Sequence, residues 1–202
     1  MADPLHGNPL DVLARWVAEA TAAGLPLPST TTLATADGDG MPHARTVDVT
    51  AIDATGLRFQ SSTPTGKSTD LAANPRATAV FHWPALGRQA VFSGATVELD
   101  AATSRTAFRA RSRQLQLVAW AYEELLPRLS APDFAVAPGA VEQAYARAAA
   151  DPGSGERPPS WTTFRLVPTR ADLWQVGTET TPQTRTRFVL DDTGWRHFPV
   201  LP

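Results

Sequence analysis

The chain has 202 residues, 43% hydrophobic and 19% charged, with a net charge of −2. That is enough to bury one sizeable core, so a single domain is expected, and nothing in the charge balance points to nucleic acid or an anionic membrane surface as a main partner. The absence of cysteine excludes disulfides, thiolate catalysis and cysteine metal sites and fits a reducing cytoplasm; no apolar run approaches the roughly 20 residues of a membrane span, and Met1-Ala2-Asp3-Pro4 lacks the regions of a signal peptide.

Asn8-Pro9 opens a helix, because Asn caps well and Pro suits the first helical position. Leu10, Leu13, Trp16, Val17 and Ala20 then follow a helical period, and Gly24 ends it. Thr30 to Thr35 reads as a strand, followed by a turn at Asp37–Gly40. Ala44 to Ile52 reads as a second strand and Leu57 to Ser62 as a third. A short helix is predicted from Gly66 to Ala73, stopped by Asn74-Pro75. Strands follow at 77–83 and 89–99. Asp100 caps a helical region to about Leu129, broken near Arg111-Ser112. Pro127, Pro132 and Pro138 mark a loop, 141–150 a further helix, and 151–160 a long connection. Strands at 162–167, 171–175 and 185–190 close the chain, with 195–200 as one more. Short turns join most strands, so the pattern is antiparallel. The expected fold is mainly β with peripheral helices: an N-terminal helix over 9–23, a barrel core over 30–100 and 161–200, and a helical insertion over 101–150.

The most informative local segment is Thr63-Pro-Thr-Gly66-Lys67-Ser68-Thr69. A helix start offers free N–H groups and a partial positive charge, and Lys67 adds a full one, so phosphate binding is one reading. A turn with an exposed lysine is the other. A nucleoside-triphosphate P-loop would need glycine where Ser61 stands, and a parallel sheet around it. In Ala44–Thr50, alternation places Arg45, Val47 and Val49 on one side and Thr46, Asp48 and Thr50 on the other. Arg105, Arg109, Arg111 and Arg113 could form an anion site or a solvated helix face. His6, His43, His82 and His197 lack metal-ligand spacing, and no metal is expected. Trp16, Trp83 and Trp195 read as core.

In order, Thr32-Leu-Ala-Thr35, Ala44-Arg-Thr-Val47, Gly66-Lys67, Asn74-Pro-Arg76, Phe81-His-Trp-Pro84, Arg88-Gln-Ala-Val91, Gln116…Trp120, Pro159-Ser-Trp161 and Leu173-Trp-Gln175 resemble the pyridoxamine 5′-phosphate oxidase family along nearly the whole chain. The resemblance implies an antiparallel FMN-binding split β-barrel, working as a homodimer with FMN at the subunit interface and a small-molecule substrate. By motif position, Arg45, Thr46, Val47, Gln60, Ser61, Lys67, Gln89 and Trp174 are implied to line the FMN site, and the same stretches bring in Asp48, Thr50 and Gly66. Glu124 and Leu125 stand where the family has Gln-Ser. A late arginine is either Arg185 or Arg187. No catalytic side chain is assigned, since the chemistry is centred on the flavin.

Departures from the family fall on the substrate side. Thr50 replaces a phosphate-binding lysine, Ala107 a tyrosine and Leu115 a serine, which leaves Arg111. The segment Thr178–Thr184 stands in place of an Arg-Leu-His motif, and Gly66 in place of an arginine. Charged hydrogen bonds contribute about 1.5–3 kcal/mol each, so their loss would weaken pyridoxine phosphate binding by orders of magnitude. The expectation is therefore an FMN-dependent oxidase acting on a different, less anionic molecule, with a role in specialised metabolism by analogy. The alternatives are an authentic pyridoxamine or pyridoxine 5′-phosphate oxidase, or a flavin-binding protein without turnover.

Overall fold

The computed structural model of the protein describes residues 5, 7–131 and 133–201, without the side chain of Pro152; the Met1–Pro4 segment, His6 and Pro132 lie outside the described residues. Helix α1 runs Pro9–Ala22, and the Asn8 side chain accepts from the Leu10 N–H at 3.0 Å. Its buried stripe of Leu10, Leu13, Trp16 and Ala20 packs on one face of a nine-stranded sheet. There Trp16 meets Trp83 edge-on at 6.3 Å between centroids.

The strands are β1 (Thr30–Ala36), β2 (Pro42–Asp48), β3 (Ala51–Asp53), β4 (Gly56–Ser62), β5 (Arg76–Trp83), β6 (Arg88–Glu98), β7 (Trp161–Gln175), β8 (Thr184–Asp191) and β9 (Gly194–Val200). Their order is β2-β1-β5-β6-β7-β4-β3, every pair is antiparallel, and β8 and β9 extend from the far end of β7. The sheet curls into a half-barrel around Leu33, Phe59, Phe81, Phe92, Leu166 and Phe188, all nearly inaccessible to solvent. Helices α2 (Gly66–Ala73), α3 (Ala101–Arg109), α4 (Arg113–Leu125) and α5 (Ala140–Ala150) lie around it. The expected class, mainly β with peripheral helices, is the one observed.

Two strand boundaries differ from the sequence reading. The stretch read as one strand over 44–52 is two. β2 ends at Asp48; then the Val49 N–H bonds to Ser29 O, and the Thr50 N–H to Arg58 O. The chain leaves the edge of β1 there and joins β4, which closes the curl. The stretches read as separate strands at 162–167 and 171–175 are one 15-residue strand, β7, with Pro168 absorbed where the register against β6 shifts at Ser93/Gly94. Proline fits this position because the irregularity leaves no ladder bond for it to donate. The break near Arg111-Ser112 lies where expected, between α3 and α4.

Gly94 makes that irregularity possible. A Cβ there would sit 2.0 Å from Val167 O and 2.7 Å from Pro168 Cα. Both are backbone atoms, so relief requires the strands to part. Gly94→Ala is expected to cost about 2–4 kcal/mol and lower the melting temperature by roughly 5–15 °C. Calorimetry showing a loss under about 2 °C would mean the strands separate freely.

Candidate cofactor and substrate site

One corner of the half-barrel gathers cations. Arg45 is half-buried on β2, on the same side as Val47 as the alternation predicts, and is not a solvated strand end. Its Nη1 donates to Thr35 Oγ1 at 2.6 Å and to Leu33 O at 3.3 Å, while Nη2 lies 3.5 Å from Asp70 Oδ2. Lys67, at the second position of α2, stands beside it. Burial, and then the charge of Arg45, lower the Lys67 pKa to about 8. Arg45 has Asp70 as a partner; among the described residues no carboxylate pairs with Lys67. Two cations, one desolvated and uncompensated, at a helix start form an anion-binding corner. Ser61 is buried nearby, but its hydroxyl donates to Ser62 O at 2.5 Å and meets Thr65 Oγ1 at 3.1 Å. The donor expected for a phosphate is therefore already engaged.

A second group of anticipated residues lies elsewhere. Gln89, Trp174 and Arg185 sit side by side across β6, β7 and β8. Arg187 is two residues along on the same face, its Nε donating to Asp172 at 2.7 Å. Gln60 of β4 pairs with Thr163 near the start of β7, whereas Gln89 pairs with Trp174 near its end. Eleven residues at roughly 3.3 Å each separate the two levels, about 35 Å along the strand.

Between β3–β4 and α3–α4 runs a groove of about 880 Å³ lined by Asp48, Thr50, Gln60, Ala107, Arg111 and Leu115, among others. The sequence-predicted substrate residues are therefore brought together. Gln60 Nε2 donates to Thr50 Oγ1 at 2.5 Å, and Arg111 Nη1 donates to Gln60 Oε1 at 3.4 Å. The Arg111 guanidinium lies 5.3 Å from the centroid of the buried Trp161 ring. Burial lowers its pKa, with Asp48 opposing the shift. Among the described residues, Arg111 Nε and Thr163 Oγ1 are buried without a hydrogen-bond partner. The other guanidinium in the groove, Arg58, is ion-paired with Asp53.

Other anticipated residues fall outside these groups. Thr46 is exposed, and Val47 packs against the core. Gly66 lines a separate apolar groove with Tyr122, Leu125 and Leu126. Glu124 faces α5, where Arg147 holds it at 2.6 and 2.9 Å. The four clustered arginines make no common anion site: Arg109 pairs with Glu156, Arg113 with Ser154, and only Arg111 reaches the groove. Arg105 and Arg109 lie on α3, Arg111 in the break after it, and Arg113 opens α4, so the four do not share one surface. Sequence reasoning missed Asp70, His43 and Thr35 at the cation corner. Asp70 lies three residues after Lys67, on the same helical face, and that spacing was the available signal.

An antiparallel half-barrel with peripheral helices, a cation corner at a helix start and an adjoining groove defines a split-barrel protein. The chain belongs to the pyridoxamine 5′-phosphate oxidase family, whose model matches residues 17–174. A pyridoxine/pyridoxamine 5′-phosphate oxidase of Salinispora arenicola is 41% identical over 89% of this chain and 79% of that protein. One from Rhodopseudomonas palustris is 37% identical over 83% and 76%. Among solved structures, PhzG from Burkholderia lata, in complex with tetrahydrophenazine-1-carboxylic acid, superposes with a TM-score of 0.85 at 25% identity, covering 98% of this chain and 94% of that one. A pyridoxamine 5′-phosphate oxidase-related, FMN-binding protein from Nostoc punctiforme has a TM-score of 0.76 at 19% identity, covering 99% and 100%, and attests the fold. Among the described residues no helix is long and apolar enough to cross a membrane.

Proposed function

We propose that the protein is an FMN-dependent oxidoreductase whose flavin is shared between two copies of the chain and whose substrate carries a single anionic group. The carrying observation is the part-buried Lys67 beside Arg45 at the start of α2, with no carboxylate paired to it among the described residues. That donor set fits a phosphate, with Arg45 and Lys67 as its counter-charges. Gln89, Trp174, Arg185 and Arg187, a row across β6, β7 and β8, would then face the flavin ring from a second copy, as the family resemblance implies for a flavin at the subunit interface. When bound, FMN supplies the hydride-accepting centre, with O₂ taking the electrons onward. The chain's own part is to hold the phosphate, fix the ring and orient the substrate.

The groove supports the less anionic substrate. Thr50, Ala107 and Leu115 bring no charge, Arg58 is already paired, and Arg111 is left with Asp48 opposite. One guanidinium seated on Trp161 suits a carboxylate or similar monoanion better than a doubly charged phosphate ester. PhzG, whose bound ligand has one carboxylate, is consistent with this reading. The second reading, an authentic pyridoxine or pyridoxamine 5′-phosphate oxidase, is favoured by the names of the relatives up to 41% identical.

Anaerobic mixing of the FMN-loaded protein with candidate donors separates the two by bleaching of the flavin absorbance. Reduced aromatic monocarboxylates are expected to bleach it, and pyridoxamine phosphate to do so at least a hundredfold more slowly. Arg111→Met is expected to raise KM for the carboxylate donor about 10–100-fold with little change for its uncharged amide. Rapid pyridoxal phosphate formation would instead establish the second reading. Protein that binds no FMN would remove both.

A further inference from the structure

Besides its two cations, the corner contains a buried carboxylate that neither the family motifs nor the groove accounts for. Asp70 projects from the second turn of α2 and is 4% exposed. Its Oδ2 accepts from Thr35 Oγ1 at 2.5 Å, lies 3.0 Å from His43 Nδ1, and is 3.5 Å from Arg45 Nη2. Thr35 in turn accepts from Arg45 Nη1 at 2.6 Å. Because the Thr35 hydroxyl hydrogen goes to Asp70, the oxygen's lone pairs are left facing Arg45. Arg45 is thus fastened to Asp70 twice, directly and through Thr35. Burial opposes the charge of Asp70, but hydrogen bonds from Thr35 and His43 and the charges of His43 and Arg45 outweigh it, leaving the carboxyl below its usual range. It remains an anion at neutral pH.

A buried carboxylate beside a phosphate site has two opposing effects. Its charge repels the incoming phosphate, while its hydrogen bonds hold a long, flexible guanidinium in one place. The first effect is reduced because Asp70 already carries partners on both oxygens. The second bears on a side chain with about 2 kcal/mol of rotamer entropy to lose on fixing. We infer that Asp70, acting with Thr35, is the positioning residue that sets the Arg45 guanidinium beside Lys67 for a flavin phosphate. The inference rests on the FMN reading proposed above. His43 is 45% exposed and touches Asp70 from outside, so it shields the carboxylate more than it fixes the arginine.

The test compares FMN with riboflavin, which has the same ring and no phosphate, by quenching of flavin fluorescence on the apoprotein. Asp70→Asn and Asp70→Ala are expected to weaken FMN binding at least tenfold and leave riboflavin binding within twofold. In an Arg45→Ala background, Asp70→Ala is expected to have no further effect on FMN, because the residue it positions is absent. His43→Ala is expected to stay within about twofold on both ligands. Equal weakening of FMN and riboflavin, or an undiminished Asp70 effect without Arg45, would mean a structural role and overturn the inference. Tighter FMN binding by Asp70→Asn would overturn it too, by showing that repulsion dominates. If Asp70→Ala does not fold, Asp70→Asn, which keeps the shape, decides alone. A wild type that binds FMN while both variants match it overturns only this inference; a wild type that binds no FMN overturns the cofactor reading first and this with it.

Discussion

Lys67→Met is expected to weaken FMN binding by two orders of magnitude or more while riboflavin binding changes less than threefold. The methionine keeps the length and packing of the side chain and removes its charge. A charge-assisted hydrogen bond to phosphate contributes about 1.5–3 kcal/mol, and here it forms in a partly desolvated corner where Coulomb attraction is less screened than in water. The same lysine sets the pH dependence. In the apoprotein its pKa is lowered to about 8 by burial and by Arg45. A bound phosphate favours the charged form and raises that pKa, so binding takes up a proton wherever the free lysine is neutral. FMN affinity should therefore be flat from about pH 7 to 8, given a phosphate second pKa near 6. It should then fall by up to about tenfold per pH unit as pH rises further. Riboflavin affinity should show no such fall, and Lys67→Met should abolish it. A wild-type FMN affinity constant between pH 7 and 9.5 would mean Lys67 does not meet the phosphate.

How much of this was readable beforehand differs from residue to residue. The α1 stripe of Leu10, Leu13, Trp16 and Ala20 and its Asn8 cap are local patterns, and both stand in the structure as read. Strand alternation put Arg45, Val47 and Val49 on one side, but by itself it left Arg45 reading as a solvated strand end; its half-buried place in the corner is set by Thr35, Leu33 and Asp70. The grouping of Thr50, Ala107, Arg111 and Leu115 in one groove came from the family resemblance, not from periodicity, because residues 50 and 111 meet only through the curl of the sheet. The Asp70 cluster joins Thr35, His43 and Arg45 across separations of 25 to 35 residues. No motif marks it. Pro168 hid the continuity of β7, since proline ordinarily argues against a central strand; its accommodation depends on Gly94 of a different strand. The hand-over at Val49-Thr50 was likewise invisible, because it is decided by hydrogen bonds to Ser29 and Arg58 and not by the residues' own preferences.

Complementation between two inactive variants is expected to restore flavin binding, and in a fixed proportion. Lys67→Met removes the proposed phosphate anchor at the start of α2, and Trp174→Ala removes the proposed ring contact near the end of β7. If one chain formed a whole site, each variant's sites would be damaged alone and no mixture would differ from the average of the two. If each site takes its phosphate corner from one copy and its Gln89–Trp174–Arg185 row from another, the mixed dimer behaves differently. One of its sites combines both damaged halves, and the other combines both intact halves. Random re-association of equal amounts makes half the dimers mixed, so about one quarter of all sites should bind FMN with wild-type affinity. Titrating tight sites after co-expression, or after mild unfolding and remixing, measures that fraction directly. A fraction near zero, in a preparation shown by subunit tagging to contain mixed dimers, would place both groups of residues in a single chain's site or outside the flavin site altogether.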